Sequence, residues 1–209
     1  MAFECKRCGK CCKTYYITVL PEELKRQAEF LKISEKEFIG KYTQLYLQLF
    51  PMFDDIGKLK IPSEKIPEKF RKKIIAHKGF LAPYFLALPS IAFKRRGKAC
   101  IFYDEKNKGC KIHALKPEQC GFFPLLAGTE NPDFKKIYPF CEGLKLGNEK
   151  YLPDKTELHY KKISGYFDRV GEKGFERVWK HWPKKGILAY KDKLAGKISE
   201  KKFFKIIGN

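Results

Sequence analysis

The sequence predicts an α+β fold: a small cysteine-rich core containing short strands, wrapped by helices and followed by a helical C-terminal extension. Three observations lead there. Segments that open on helix-start signals alternate with short β-branched and aromatic runs. Hydrophobic residues fill 44% of 209 positions, with 18 Phe and 11 Tyr, enough for a real core in one large domain. Eight cysteines form two groups: Cys5, Cys8, Cys11 and Cys12 at the amino terminus, and Cys100, Cys110, Cys120 and Cys141 far downstream.

The elements follow in order. Thr14 to Leu20 is β-branched and aromatic and reads as a short strand. Pro21 suits the first position of a helix, with Glu22 and Glu23 near its positive end, so a helix should run to about Leu31. Ser34-Glu-Lys-Glu37 reads as a capping box opening a second helix, whose apolar positions Phe38, Tyr42, Leu45 and Leu49 recur at helical spacing. A third helix should start at Pro67 and end near His77, before Gly79.

Ser90–Phe93 and Ala99–Tyr103 read as strands joined through Arg95-Arg96-Gly97, and the turn from Asp104 to Gly109 delivers Cys110. Pro117 and Pro124 make His113 to Pro124 a short helical turn and loop. Ile137 to Phe140 reads as a strand leading to Cys141. The cysteine-free final third holds amphipathic stretches read as helices: Asp154–Val170, Phe175–His181, Ile187–Leu194 and Lys197–Ile207. Its aromatic stripe of Tyr160, Tyr166, Phe167, Phe175 and Trp179 reads as core. Residues 1–150 are thus expected to form a cysteine-cluster metal-binding domain, with 151–209 a helical extension packed on it.

The net charge of +20 admits an acidic partner, nucleic acid included. The lysines, however, are spread along the whole length in short steps, which fits a solvated basic surface better. No apolar leader precedes Cys5, and the longest apolar stretch, Gly79–Phe93, is broken by Pro83 and Pro89. A cytoplasmic location without membrane partners is therefore expected, and in the cytoplasm clustered cysteines bind metal more often than they form disulfides. No GxGxxG loop or P-loop is present in the sequence.

The Cys5-x-x-Cys8-x-x-Cys11-Cys12 run carries the chemistry. Two-residue gaps let several sulfurs converge on one point. Such a run can hold three corners of an iron–sulfur cubane, and in zinc sites CxxC supplies two of four ligands. Spacing alone does not choose between iron–sulfur and zinc. Neighbouring side chains diverge, so Cys11 and Cys12 point to two metals or to one ligand and one packed thiol. Gly9 permits a tight turn; Lys6, Arg7, Lys10 and Lys13 favour thiolate or simply lie on the surface. Phe3, Tyr16, Phe102, Phe122, Phe123 and Phe140 neighbour the cysteines and would keep water from the centre. His113, three residues after Cys110, is a candidate nitrogen ligand or a packed histidine.

These residues resemble the YkgJ-like cysteine-cluster family. The resemblance rests on the CxxCxxCC run, Pro21-Glu-Glu23, Leu31-Lys-Ile-Ser-Glu-Lys-Glu-Phe38, and Gly97-Lys-Ala-Cys100-Ile-Phe-Tyr-Asp104. It continues through Cys110-Lys-Ile-His113, Lys116-Pro117, Cys120 and Phe123-Pro124, and spans roughly residues 3 to 145. The family often has tyrosine where His113 stands and arginine where Lys116 stands. The resemblance implies zinc or iron chelation, with iron–sulfur clusters expected in some members, and likeness to a cysteine-rich part of flagellin lysine methylases. It implies all eight cysteines as the candidate metal cluster and hands over no catalytic residue.

Three functions are compatible with this reading. One is a metal or cluster carrier or redox partner serving an acceptor protein. Another is a methyltransferase-associated or redox enzyme using the centre. The third is a nucleic-acid-binding module with structural zinc.

Overall fold

The computed structural model describes residues 5–53, 60–124, 133–145, 161, 165, 185–190 and 194–207. The chain enters through a short helix α1 (Lys10–Thr14) and strand β1 (Thr18–Val19), then helices α2 (Pro21–Phe30) and α3 (Glu35–Tyr42). Pro21 takes the first turn of α2 as its fixed φ dictates. Ser34 caps α3, its hydroxyl oxygen accepting from the Glu37 N–H at 3.1 Å.

A long strand β2 (Thr43–Met52) follows without a loop, then β3 (Lys60–Pro62), helix α4 (Glu68–Lys78) and strand β4 (Tyr84–Phe93). Gly79 ends α4 in the left-handed conformation, with φ 78°. Two short hairpins come next: β5 (Arg95–Arg96) with β6 (Ala99–Cys100), and β7 (Tyr103–Asp104) with β8 (Gly109–Cys110). Helices α5 (Glu118–Phe122), α6 (Phe134–Ile137) and α7 (Glu142–Lys145) carry the chain past Cys141. Strands β9 (Lys185–Tyr190) and β10 (Leu194–Ser199) and helix α8 (Glu200–Ile207) complete the described fold.

The main sheet runs β1-β4-β2-β9-β10, with β3 beside β4. β2 and β4 pair antiparallel over their full lengths, from Thr43 opposite Phe93 to Met52 opposite Tyr84. β9 adds to β2 in parallel, with Leu47 opposite Leu188. The fold is α+β, with a C-terminal helix.

Two cores sit on this sheet. In the first, Leu45, Leu47 and Leu49 of β2 pack with Phe70 and Ile74 of α4 and Phe203 and Ile206 of α8. In the second, Ile91 and Phe93 of β4 pack with Leu24 of α2 and Phe38 of α3, and with Cys100, Phe102, Tyr103 and Ile112 from the hairpin region. This second core is the platform under the cysteines.

Four expectations need correction. The helix opened by Ser34 stops at Tyr42, so Leu45 and Leu49 lie on β2. From Thr43 the residues alternate, with Thr43, Leu45, Leu47 and Leu49 buried on one face, and this period of two prevails once β4 is there to pair with. In place of the expected helix, Ile187–Tyr190 belong to β9 and Leu194 opens β10; the continuous apolar run of β9 suits a strand covered on both faces, with Leu188 and Tyr190 in the first core and Ile187 and Ala189 packed with Tyr46 and Ala92 on the other. The last helix begins only at Glu200, after β10. Ile137 ends helix α6, started by the Asp133 carboxylate accepting from the Lys136 N–H at 3.1 Å, so Ile137–Phe140 forms no strand. The stretches 154–170 and 175–181 and their aromatic stripe lie outside the described residues.

Candidate metal centre

The amino-terminal cysteines are placed by a glycine turn and a helix of five residues. Gly9 caps α1 with φ 72°, and its open side is filled by the buried ring of Tyr103. Cys5 and Cys8 precede that turn; Cys11 and Cys12 ride on α1 itself. Arg95 clamps the end of α1: its guanidinium donates to the Lys13 carbonyl and to the Lys98 carbonyl, and lies 4.9 Å from the centre of the Tyr16 ring. Lys10 forms an ion pair with Glu142 of α7, and Lys13 one with Glu105 at 3.0 Å. These two lysines therefore tie the cysteine loop to downstream segments, beyond any effect on thiolate charge.

The downstream cysteines arrive on separate devices. The Asp104 carboxylate accepts from the Lys106 N–H at 3.0 Å and from the Asn107 N–H at 3.2 Å, and this Asx-type turn sets Cys110 opposite Tyr103. The Asn107 bonds hold the Asp104 carboxyl below the usual carboxylate range. Cys120 sits on α5, whose first turn is stapled to α2 by Glu23: one carboxylate oxygen accepts from the Glu118 N–H at 2.7 Å, the other from the Leu20 N–H at 2.9 Å. Burial raises the Glu23 pKa, opposed by those two N–H donors. Gln119 ties α5 to β1, its carbonyl oxygen accepting from the Thr18 hydroxyl at 2.7 Å.

These devices gather the sulfurs. Cys5, Cys8, Cys11 and Cys12 from one end of the domain, and Cys110, Cys120 and Cys141 from the other, line a single pocket of about 80 Å³. His113 stands in its wall, and Lys6, Arg7, Lys10 and Lys116 surround it, with no acidic side chain among the described residues of the lining. Cys100 comes from behind, buried in the second core and opening on the adjacent groove with Lys13 and Tyr103.

Cys11 is the hub: a charge on its sulfur would be felt, after the larger effect of burial, at Cys100, Cys110, Cys120 and Cys141. Its thiol is pushed up, first by its hydrogen bond with Cys12 and then by burial. Burial pushes Cys100 up to about 11 and raises Cys110, Cys120 and Cys141 as well. Burial also lowers His113, helped by Arg7 and Lys116, which favours the neutral imidazole. Among the described residues, no three His, Cys, Asp or Glu side chains stand at the spacing that would hold a single ion.

The donor set decides the kind of occupant this pocket fits. Sulfur and imidazole are ligands for zinc, iron and iron–sulfur centres, not for hard oxygen-seeking cations. Thiolates bound to metal leave an anionic centre, which the surrounding lysines and arginine balance. Residues 4–142 match the model of the CxxCxxCC family, described as "Putative zinc- or iron-chelating domain". The chain belongs to that family. "Uncharacterized protein MJ0661" of Methanocaldococcus jannaschii is 26% identical over 186 residues, covering 85% of this chain and 79% of that protein. No solved structure matches. No helix among the described residues is long and apolar enough to cross a membrane.

The CxxCxxCC spacing drew attention to the sulfurs but not to what aims them. Glu23 reads in the sequence as a residue near a helix start, and Arg95 as surface charge; neither hints at a partner 95 or 82 positions away. The Glu23 staple has a measurable value. Glu23→Ala leaves two N–H groups without their acceptor and is expected to lower stability by about 2 kcal/mol. Glu23→Gln, which keeps one oxygen, should lose less. Urea melts of the metal-loaded protein check this; equal losses for the two variants would sink the staple.

Proposed function

We propose that this CxxCxxCC protein holds an iron–sulfur cluster through its clustered cysteines and serves as a carrier or redox partner for an acceptor protein in the cytoplasm. The observation that carries the reading is the convergence of seven cysteines from two distant segments on one cation-rimmed pocket. Two features favour a cluster over one zinc ion. The Cys5-x-x-Cys8-x-x-Cys11 run can hold three corners of a cubane, with a distant cysteine completing it. The cavity of about 80 Å³ exceeds the roughly 30 Å³ share of one water molecule, and a bare ion needs no more.

In this reading the chain's own residues bind, orient and shield. Cys11 and Cys120 supply thiolates from two short helices, and Cys110 one from a hairpin end. Phe123 and Phe140 close the pocket on its apolar side, limiting water and so tuning potential and exchange. A bound cluster would supply one-electron chemistry or a transferable iron–sulfur unit. His113 and Cys100 stand as reserve donors at the edge.

Anaerobic purification followed by iron, zinc and acid-labile sulfide analysis tests the reading. The expected result is a brown protein with iron and sulfide in comparable amounts and broad visible absorption. A colourless protein with stoichiometric zinc would overturn the cluster version and leave a zinc-chelating protein. Neither metal at stoichiometry would overturn both.

A further inference from the structure

A second cavity, of about 270 Å³, lies directly against the cysteine pocket. The two share Cys11, Cys120 and Phe123 as a common wall. Its floor is the sheet face opposite the two main cores. Gln48 and Phe50 of β2 and Leu88 and Ser90 of β4 lie there side by side, Gln48 in register with Leu88. Its roof is the segment that carries the cysteines, including Gln119 and Tyr138.

The contrast between the two cavities is chemical. The cysteine pocket is rimmed by four cationic side chains. Among the described residues, the second cavity has no Lys, Arg, Asp or Glu in its lining, in a chain that is 33% charged. Its walls are aromatic and aliphatic, with Gln48, Ser90, Thr18 and Gln119 as hydrogen-bonding groups. The Gln119 carbonyl oxygen is engaged by Thr18, which fixes the plane of that amide. A pocket with apolar walls and a few fixed polar groups is the usual form of a small-molecule site. An ionised ligand would lose its hydration without gaining a counter-charge.

We propose that this cavity is a ligand site of the metal centre, taking a small neutral molecule with a flat apolar body and one amide- or hydroxyl-type group. The proposal rests on the metal-centre reading. The shared wall puts such a ligand against two of the sulfurs that would hold the metal, so its occupancy is felt there. It gives the protein a substrate or effector pocket beside its centre, which a purely structural metal site does not need.

Benzamide is the probe and benzoate its charged counterpart, both applied to the metal-loaded full chain. Ligand-observed NMR should show benzamide binding with Kd of about 1 mM or tighter, the range open to so small a ligand, and benzoate at least about tenfold weaker. Benzamide should also shift the visible absorption of the centre, or of cobalt put in place of zinc. Leu88→Trp fills the cavity and Gln48→Leu removes a polar group at similar volume; each should weaken binding about tenfold or more. Should the tryptophan variant fail to fold, the leucine variant still decides.

No benzamide binding, or binding by both variants as tight as the parent's, would overturn the proposal. So would binding that leaves the metal spectrum unchanged, since the link between cavity and centre would be gone. Metal analysis on the same samples separates these failures from loss of the metal reading. Protein without metal that still binds benzamide sinks the metal reading and the link together, while protein with metal and no binding sinks the cavity alone.

Discussion

Gly9→Ala is expected to be among the most damaging single substitutions in this chain. Two costs add. At φ 72° an L-residue pays about 1–2 kcal/mol for the left-handed conformation. A methyl group at this position also collides with the edge of the Tyr103 ring, which is buried and must shift to make room. Overpacking of that kind costs about 1–3 kcal/mol. A loss of about 2–5 kcal/mol should follow in urea melts, together with less metal per chain, because Cys8 and Cys11 flank the displaced turn. Adding Tyr103→Ala to Gly9→Ala removes the clash and leaves the backbone strain, so the pair should be less than additive. A Gly9→Ala protein within about 0.5 kcal/mol of the parent would show that the turn and ring are not locked together.

Metal removal should have the larger effect. A metal held by the proposed ligands would join the Cys5–Cys12 segment to residues from Cys110 onward, closing a loop of about a hundred residues. A cross-link of that span restricts the unfolded chain by about 4–5 kcal/mol, before any enthalpy of metal–thiolate bonds. The loss should fall unevenly. The core of Leu45, Leu47, Phe70 and Phe203 contains no cysteine, whereas the core of Phe38, Phe93 and Phe102 includes Cys100 and packs against Cys12, Cys110 and Cys120. Chelation is therefore expected to lower the melting temperature of the cysteine half first and split one unfolding transition into two. Calorimetry of loaded and chelated protein checks this. An unchanged melting temperature after verified metal loss would contradict a structural role for the centre.

What could be read from the sequence was what local chemistry writes plainly. Ser34 with Glu37, Pro21, Gly79 and the Asp104–Gly109 turn each act within four or five residues, and each is where it was expected. The cysteine groups were legible because the spacing CxxCxxCC has few other physical uses. Misreadings arose where one residue set satisfies two periods. Phe38, Tyr42, Leu45 and Leu49 fit a helix, while Thr43, Leu45, Leu47 and Leu49 fit a strand, and only the presence of β4 arbitrates. Ile187 to Tyr190 has no alternation, because both faces of β9 are covered, one by the first core and the other by Tyr46 and Ala92. The Tyr103 ring over Gly9, the Glu23 staple and the cavity at Gln48 and Ser90 join residues about 40 to 95 positions apart, and no local pattern announces such pairings.

The parallel pairing of β2 with β9 has a consequence for synthesis. Leu45 waits for Gly186, about 140 residues later in the chain, before its strand has a neighbour on that side. The last cysteine, Cys141, is made before β9, so all the cysteine segments are complete while one border of β2 still lacks its partner. A bare border of this kind invites pairing with another nascent chain. Loading the centre early would not protect that border; only arrival of β9 closes it.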